Sequence, residues 1–175
     1  MLIRRLVFVA LLVCGCKRQA PPAATPSTAA PAHEAPAWPP EGGEVTAPPP
    51  GVQEVMRRMV NALDGGDGAA VKAYFMNALQ VGVLDCGPFD LGARVTAARD
   101  ATVARAAELK GKTTFKGFGE GRFVDVKRDA ALGPCKAKVD VSMFRASTSW
   151  DLGGTAETHD TLLLGVQDAW FVLQL

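Results

Sequence analysis

The chain holds four cysteines, and their thiols are the side chains with the most distinctive chemistry in its 175 residues. Cys14 and Cys16 stand at the end of an apolar run, while Cys86 and Cys135 lie far apart in the second part of the sequence. A thiol can be acylated, can bind a metal ion, or can pair with another thiol in a disulfide. The compartment decides between these fates, because disulfides persist where the surroundings are oxidising.

The N-terminal segment 1–15 indicates that compartment. Arg4 and Arg5 precede an apolar run over residues 6–13. This run is shorter than the about 20 apolar residues of a membrane-spanning helix, and it is typical of a secretory signal peptide. A buried core helix is the alternative, but nothing globular precedes the following proline-rich tract for such a helix to pack against.

The end of the run, residues 13–16 (VCGC), resembles the lipobox of bacterial lipoproteins, in which an aliphatic residue, a small residue and Gly or Ala precede the acceptor cysteine. The resemblance implies that cleavage discards Cys14 and that Cys16 carries a diacylglycerol. The protein would then be anchored to a membrane of the bacterial envelope. Lys17 follows the acceptor; an Asp there would favour the inner membrane, so the outer membrane is implied.

The composition then changes over residues 16–50, which hold 10 of the 12 prolines. A segment of this composition buries too little apolar surface to offset its conformational entropy. We therefore predict a disordered tether, and we interpret His33 and Trp38 within it as incidental. Residues 51–175 are long enough for one compact domain. Their Lys and Arg side chains balance their Asp and Glu side chains, 15 of each, which disfavours nucleic acid as a partner.

The hydrophobic pattern of this domain predicts an α+β fold with about three helices and then about four antiparallel strands. Apolar residues recur at helical spacing over residues 52–63, and Asp67 can cap a second helix whose inner face includes Phe75 and Leu79. A third helix is predicted over about 90–109. The predicted strands cover residues 113–126, 136–145, 155–164 and 169–175, the last two forming a hairpin. Gly117, Gly119 and Gly121 predict a bend, a bulge or the close approach of another backbone in the first strand.

Three short motifs in this domain resemble the nuclear transport factor 2-like superfamily, a cone-shaped α+β fold. They are residues 62–67 (ALDGGD), Tyr74-Phe75 and residues 168–173 (DAWFVL). These motifs mark fold rather than activity, and residues 81–91 form a longer connection than is usual in the family. The resemblance implies helices packed on one face of a curved sheet that encloses a concavity.

Cys86 and Cys135 are the only cysteines of this domain, and in an exported protein we expect them to form a disulfide. Two free buried thiols and half of a metal site are the alternatives. A metal site needs further ligands, and His159 is the only histidine of the domain. We therefore predict neither a metal nor another cofactor.

Enzymes of the superfamily place an Asp or His base inside the cone with a Tyr nearby. By position, the candidates are Tyr74, Asp125, Asp140, His159 and Asp160. Strand alternation puts Asp140 opposite the apolar face, whereas it leaves the choice between His159 and Asp160 open. No family motif matches at residue level, so the resemblance assigns no catalytic residue.

Two functions follow from these observations. The favoured one is a lipid-anchored, non-enzymatic module that binds a small apolar ligand, a peptide or another envelope protein. The alternative is a lyase- or isomerase-type enzyme that uses His159 or Asp160 as a base with a raised pKa in a closed pocket. The two functions differ in one structural requirement. An enzyme needs His159 or Asp160 on the sheet face that lines a closed pocket, beside a second polar group, whereas a binding module does not.

The lipobox predicts that Cys16→Ala abolishes acylation, because this thiol is the acceptor. Labelling cells with radioactive palmitate measures the effect. Cys14→Ala is the matched control and retains the label, since cleavage removes that residue. Equal labelling of the Cys16→Ala variant and the wild type would contradict the prediction.

Overall fold

The computed structural model describes residues 38–175, and the predicted signal peptide, Cys16 and the first part of the predicted tether lie outside this range. The described chain has an α+β fold, as the sequence predicts. Its elements, in order, are β1 (Glu44–Thr46), α1 (Pro50–Gly65), α2 (Gly68–Ala73), α3 (Ala78–Val81), β2 (Leu84–Asp85), α4 (Leu91–Ala106), β3 (Thr113–Val126), β4 (Ala131–Leu132), β5 (Cys135–Ala137), β6 (Val141–Leu152), β7 (Thr155–Val166) and β8 (Ala169–Gln174). None of the helices in the described part is long and apolar enough to cross a membrane.

Two antiparallel sheets organise the strands. The main sheet has five strands in the order β1-β3-β6-β7-β8, and a small sheet has the order β2-β5-β4. Hairpins connect β6 to β7 and β7 to β8, because Gly153 and Gly154 turn the first and Gln167 adopts a left-handed conformation in the second. The predicted strand over 113–126 and the predicted C-terminal hairpin are both confirmed.

The two long helices cover one face of the main sheet. Helix α1 begins at a run of prolines, which suits the first helical turn because these positions need no N–H donor. It ends at Gly66, whose left-handed backbone closes the helix. Asp90 caps α4, since its Oδ1 accepts the N–H of Ala93 at 2.8 Å. The core combines one stripe of α1 with sheet residues; its largest fully buried members include Met56, Met59, Leu63, Phe144, Leu162 and Leu163.

The predicted second helix is wrong beyond Ala73. Residues 74–76 leave the helix to join the sheet edge, where the N–H of Met76 donates to the carbonyl of Val172 at 3.2 Å. Asn77 then starts a separate helix, α3, because its side chain caps that helix reciprocally with Gln80. As a result Leu79 does not lie on a buried face: its exposed fraction is 89%.

The predicted strand over 136–145 is two strands in the structure, β5 and β6. The chain turns between them at Asp140, whose carboxylate accepts the backbone N–H of Arg128 at 2.8 Å and a side-chain hydrogen bond from Lys127 at 3.0 Å. These local hydrogen bonds to the carboxylate compete with the backbone hydrogen bonds that would continue the strand. Asp140 is thus on the surface, as its strand parity predicts.

The ordered domain begins well before residue 51. Residues 44–46 pair with residues 121–123 of β3, and the ring of Trp38 lies 5.6 Å from that of Phe89. Residues 44–46 are therefore not part of a disordered segment, and Trp38 is a packing residue rather than an incidental one. Composition alone misses this, because the hydrogen bonds of β1 come from its main chain.

The alternate glycines of β3 coincide with two β-bulges, between Phe115 and Gly117 and between Phe118 and Gly121. A Cβ at Gly121 would lie 2.5 Å from Cζ of Phe144 and 2.9 Å from the carbonyl oxygen of Thr46. Both distances are too short for a side chain. The predicted bulge and the predicted close approach of another backbone are both confirmed.

Cys86 and Cys135 form the expected disulfide, with an S–S distance of 2.04 Å. The bond joins the residue after β2 to the first residue of β5, so it fastens the small sheet across a sequence separation of 49. Closing a loop of this size stabilises a fold by roughly 2–4 kcal/mol. The disulfide thus compensates for the shortness of the strands it connects.

We expect Gly121→Ala to destabilise the domain by about 1–3 kcal/mol, because the new methyl group must displace the ring of Phe144 or the strand β1. Equilibrium denaturation in urea measures the free energy of unfolding. Gly65→Ala is the matched control, since a Cβ there meets no atom within 4 Å and α1 should keep its stability or gain some. Equal stability of the Gly121→Ala variant and the wild type would refute this account of β3.

Candidate functional site

A cavity lies between α4 and the sheet face on which α1 and α4 pack. Its volume is about 130 Å³. Helix α4 contributes one stripe at helical spacing, and the wall opposite comes from β6, β7 and the end of the chain. The lining residues are Leu63, Ala98, Ala101, Thr102, Arg105, Leu109, Trp150, Leu152, His159 and Leu175.

The cavity exists because α4 presents small side chains to it. Ala98 is half-buried beneath α4 and Ala101 is exposed at the edge of the stripe, and their methyl groups are too short to reach the opposite wall. Trp150 is held rigidly, since its Nε1 donates to Oγ1 of Thr148 at 2.9 Å and Thr148 bonds Thr161 at 2.7 Å. This buried polar chain satisfies its own donors and acceptors, which leaves the rest of that wall apolar.

Three ionisable side chains form the polar mouth of the cavity. Arg105 of α4 donates to both carboxylate oxygens of Glu157 on β7, at 2.8 and 3.2 Å. Nε2 of His159 lies 3.1 Å from Oε2 of the same carboxylate. The exposed fractions of the side chains are 44% for Arg105 and 27% each for Glu157 and His159. The cavity is thus apolar inside and charged where it opens to water.

The ion pair across the mouth fixes the charges of its two members. The hydrogen bonds from Arg105 lower the pKa of Glu157, and His159 adds a smaller effect in the same direction. In return, the carboxylate of Glu157 raises the pKa of Arg105. Glu157 is therefore ionised at neutral pH, and it holds both the guanidinium and the imidazole in place.

His159 and Asp160 lie on opposite faces of β7, because consecutive residues of a strand alternate. His159 lines the cavity. Asp160 instead accepts two hydrogen bonds from Arg145 of β6, at 2.7 and 3.1 Å, on the other face. The sequence left the choice between these two residues open, and the structure selects His159 as the one near the cavity.

The other candidates do not join this site. Asp125 accepts a hydrogen bond from the hydroxyl of Ser142, and Asp140 is engaged by Lys127. Tyr74 contributes its backbone carbonyl to the N–H of Val172, and its side chain is absent from the cavity wall. The structure therefore separates the five candidate positions instead of gathering them.

Sequence reasoning missed Arg105 and Glu157, the two residues that organise the mouth. Glu157 precedes His159 by two positions and therefore shares its strand face, so a carboxylate–imidazole pair was visible in the alternation. Arg105 gave no such signal. It stands on an alanine-rich helix, and only the packing of α4 against β7 brings it to Glu157.

A second concavity is larger but shallow. It runs between α1 and β3, has a volume of about 790 Å³ and is open to solvent along its length. Phe115 and Phe118 form part of its floor, and Arg57 and Glu54 pair with each other on its rim. Its polar groups do not converge on one point, so we regard the α4 cavity as the better candidate site.

Comparison with protein-family models, with curated proteins and with solved structures finds no match to this chain.

Glu157→Gln tests the electrostatics of the mouth. The pKa of Glu157 is lower in the folded protein than its ordinary value of 4.5, so its contribution to stability is complete above that value and is lost as the pH falls below it. The variant should lose less stability than the wild type between about pH 5 and pH 3. At neutral pH we expect a loss of less than about 1 kcal/mol, since the pair is partly exposed.

Thermal unfolding followed by circular dichroism across this pH range measures the effect. Glu120→Gln is the control, because Glu120 is 62% exposed in its pair with Arg122 and such pairs contribute little. Identical acid sensitivity of wild type and Glu157→Gln would show that the Arg105–Glu157 pair does not stabilise the fold.

Proposed function

We propose that this protein is a lipid-anchored lipoprotein of the bacterial envelope whose domain binds a small ligand and catalyses no reaction. The observation that carries the binding part is the α4 cavity, an apolar space with polar groups at its mouth only. Ligand sites commonly combine mostly apolar walls with a few polar groups that fix orientation.

The size of the cavity limits the ligand. An apolar cavity of about 150 Å³ can hold a benzene molecule, and this one has a volume of about 130 Å³. The part of the ligand that enters is therefore about the size of one aromatic ring or a short branched alkyl group. Any further part of a larger ligand would extend out through the mouth, past Arg105 and His159.

The N-terminal sequence supports the proposed lipid anchor, because an apolar leader ends in residues 13–16 (VCGC) with Cys16 as the acylated residue. Two or more acyl chains hold a protein stably on a membrane, since each buried methylene contributes about 0.8 kcal/mol. Lys17 after the acceptor supports the outer membrane as the location. The Cys86–Cys135 disulfide agrees with an oxidising compartment.

We also propose that the domain belongs to the nuclear transport factor 2-like superfamily. The order of elements supports this, because helices precede an antiparallel sheet and pack on one of its faces. The terminal strand β8 carries Trp170, in agreement with the motif over 168–173. The small disulfide-linked sheet occupies the region around residues 81–91 that fits the resemblance less well.

One observation favours the enzymatic alternative, a lyase or isomerase with a His base. His159 reaches the cavity with a carboxylate, Glu157, 3.1 Å from its Nε2, and a carboxylate–imidazole pair is a common arrangement for a general base. Against it, the pair lies at a mouth open to water rather than in the closed pocket that this chemistry favours. Binding without catalysis is therefore the better-supported function.

Ala98→Leu should block the cavity, because the larger side chain fills its interior. Benzyl alcohol serves as the probe, and NMR titration of the full-length chain follows the indole N–H of Trp150 and the methyl groups of Leu152. We expect saturable shifts in the wild type and at least about tenfold weaker binding in the variant, in line with the loss of one buried ring. Ala97→Leu, on the exposed side of α4, should bind as the wild type does. Equal binding by all three proteins would exclude the cavity as the site.

His159→Gln and Asp160→Asn discriminate the two functions. If the domain only binds, both variants should fold and complement a deletion strain as well as the wild type does, because losing a partly exposed residue changes stability by only about 0.5 kcal/mol. Loss of a catalytic base typically lowers the rate by about 100-fold or more. A folded, abundant variant that reproduces the deletion phenotype would overturn the binding-only function. Loss through His159→Gln alone would point to the cavity as the reaction site.

A further inference from the structure

Part of the main sheet has an edge that no strand of the described chain covers. Strand β1 pairs with residues 121–123 of β3 only, and among residues 38–175 no strand lies beside residues 114–120 on that side. The pairing of β1 ends there because the chain reaches the prolines at 48–50, which lack N–H donors and lead into α1. The outer edge of β3 is therefore only partly used by the domain itself.

We propose that this free edge binds an extended peptide segment of a partner protein. The segment adds to the sheet as a strand, in line with β1, and packs apolar side chains on Phe115 and Phe118. This site is separate from the α4 cavity, and the proposal does not depend on the small ligand of that cavity.

The free edge forms one wall of the shallow cleft between α1 and β3, which has a volume of about 790 Å³. An unpaired strand edge presents its backbone N–H and C=O groups in a row, whereas the polar groups of a small-ligand site converge. A compact ligand cannot satisfy such a row. The backbone of an extended peptide can, because it carries donors and acceptors at the same spacing.

The first β-bulge of β3 shapes the floor of the cleft. In a regular strand Phe115 and Phe118, three positions apart, would point to opposite faces. The bulge between Phe115 and Gly117 shifts the register, so that both rings lie on the face that α1 covers, with their centroids 5.1 Å apart. Both residues line the cleft and are half-buried. Bulges at a sheet edge often redirect side chains, and here the result is an apolar floor beside an unpaired edge.

The pairing of β1 shows that this edge accepts an antiparallel strand. That pairing ends with Thr46 opposite Gly121, so a segment that continues in the direction of β1 lies beside residues 114–120. The N–H of Thr113 is already used, since it donates to Oδ1 of Asp64 at 3.0 Å. The bulges interrupt the ladder of hydrogen bonds, and contact with the two phenylalanine rings therefore supplies part of the affinity.

These contacts define the chemistry of the segment. Proline is excluded wherever the ladder needs an N–H donor. Alternate side chains are apolar, because one of the two sets on a strand faces the rings. Charge is a minor determinant, since Glu54 and Arg57 in the cleft wall already bond each other at 2.8 and 2.9 Å.

The test uses an acetylated and amidated hexapeptide of alternating Thr and Val as the probe. NMR titration of the full-length chain measures binding, and hydrogen exchange of the backbone amides reports strand addition. We expect saturable shifts over residues 114–120 and slower exchange of amides in this range, because N–H groups that contact water then donate to the peptide.

Two further peptides carry N-methyl groups on alternate residues, one at the odd and the other at the even positions. Successive N–H groups of a strand point to opposite edges. The peptide whose pairing edge is methylated should lose binding, and the other should retain it.

Asn61→Trp should abolish peptide binding, because Asn61 is an exposed residue of the cleft wall and the larger side chain occupies the cleft. Arg58→Trp is the matched control on the same helix. Arg58 is 60% exposed and lies outside the cleft wall, so this variant should bind the peptide as the wild type does. Both variants should bind benzyl alcohol normally, which separates failure of the peptide site from failure of the α4 cavity.

No binding of the peptide to the wild type, or binding that Asn61→Trp leaves unchanged, would overturn the proposal. Shifts without slower exchange over residues 114–120 would exclude strand addition. Slower exchange that depends on protein concentration in the absence of peptide would show that a second copy of the chain occupies the edge, and a peptide of another protein would then be the wrong partner.

Discussion

The contact between Phe144 and Gly121 is the constraint on which the rest of the sheet depends. The Phe144 ring is fully buried and occupies the space that a side chain at Gly121 would need. Without a Cβ at this position, β3 can lie close to β6 and still leave room for β1, whose Thr46 carbonyl approaches from the other side. The bulges of β3 arise where the glycines allow this approach, and bulges increase the local twist and bend of a strand. The sheet surface that receives α1 and α4 follows from that geometry.

The candidate site arises where this helix layer is packed least tightly. Alanines on α4 leave a gap against Trp150, while the Arg105–Glu157 pair closes the layer at one point only. The ion pair orients α4 over β7, and the short side chains of α4 leave the space beneath the helix unfilled. A fold that was optimised for burial alone would not combine an apolar gap with charged groups at its opening.

Local patterns predicted several elements of this fold. The β-branched and aromatic residues over 113–126, the hairpin that follows residue 155 and the apolar stripe of α1 correspond to observed elements, as does the disulfide. The pattern failed where main-chain or local side-chain bonds override it: β1 is held by backbone pairing, and Asn77 caps a new helix inside an apolar run. At the site, alternation could pair Glu157 with His159 but could not supply Arg105, because that contact depends on how α4 packs.

The path by which the chain enters the domain has a mechanical consequence. Pro40 and Glu41 share a depression with Arg145, on the face of the sheet opposite His159, and Trp38 packs on Phe89 just before them. A pull from upstream would therefore load the Trp38–Phe89 contact first and the short pairing of β1 with β3 next. Phe89 stands just before α4, so this load reaches the N-terminal end of that helix. The cavity lies at the other end of α4 and beside β7, which β3 and β6 separate from β1, so it is remote from the segments that the pull loads first.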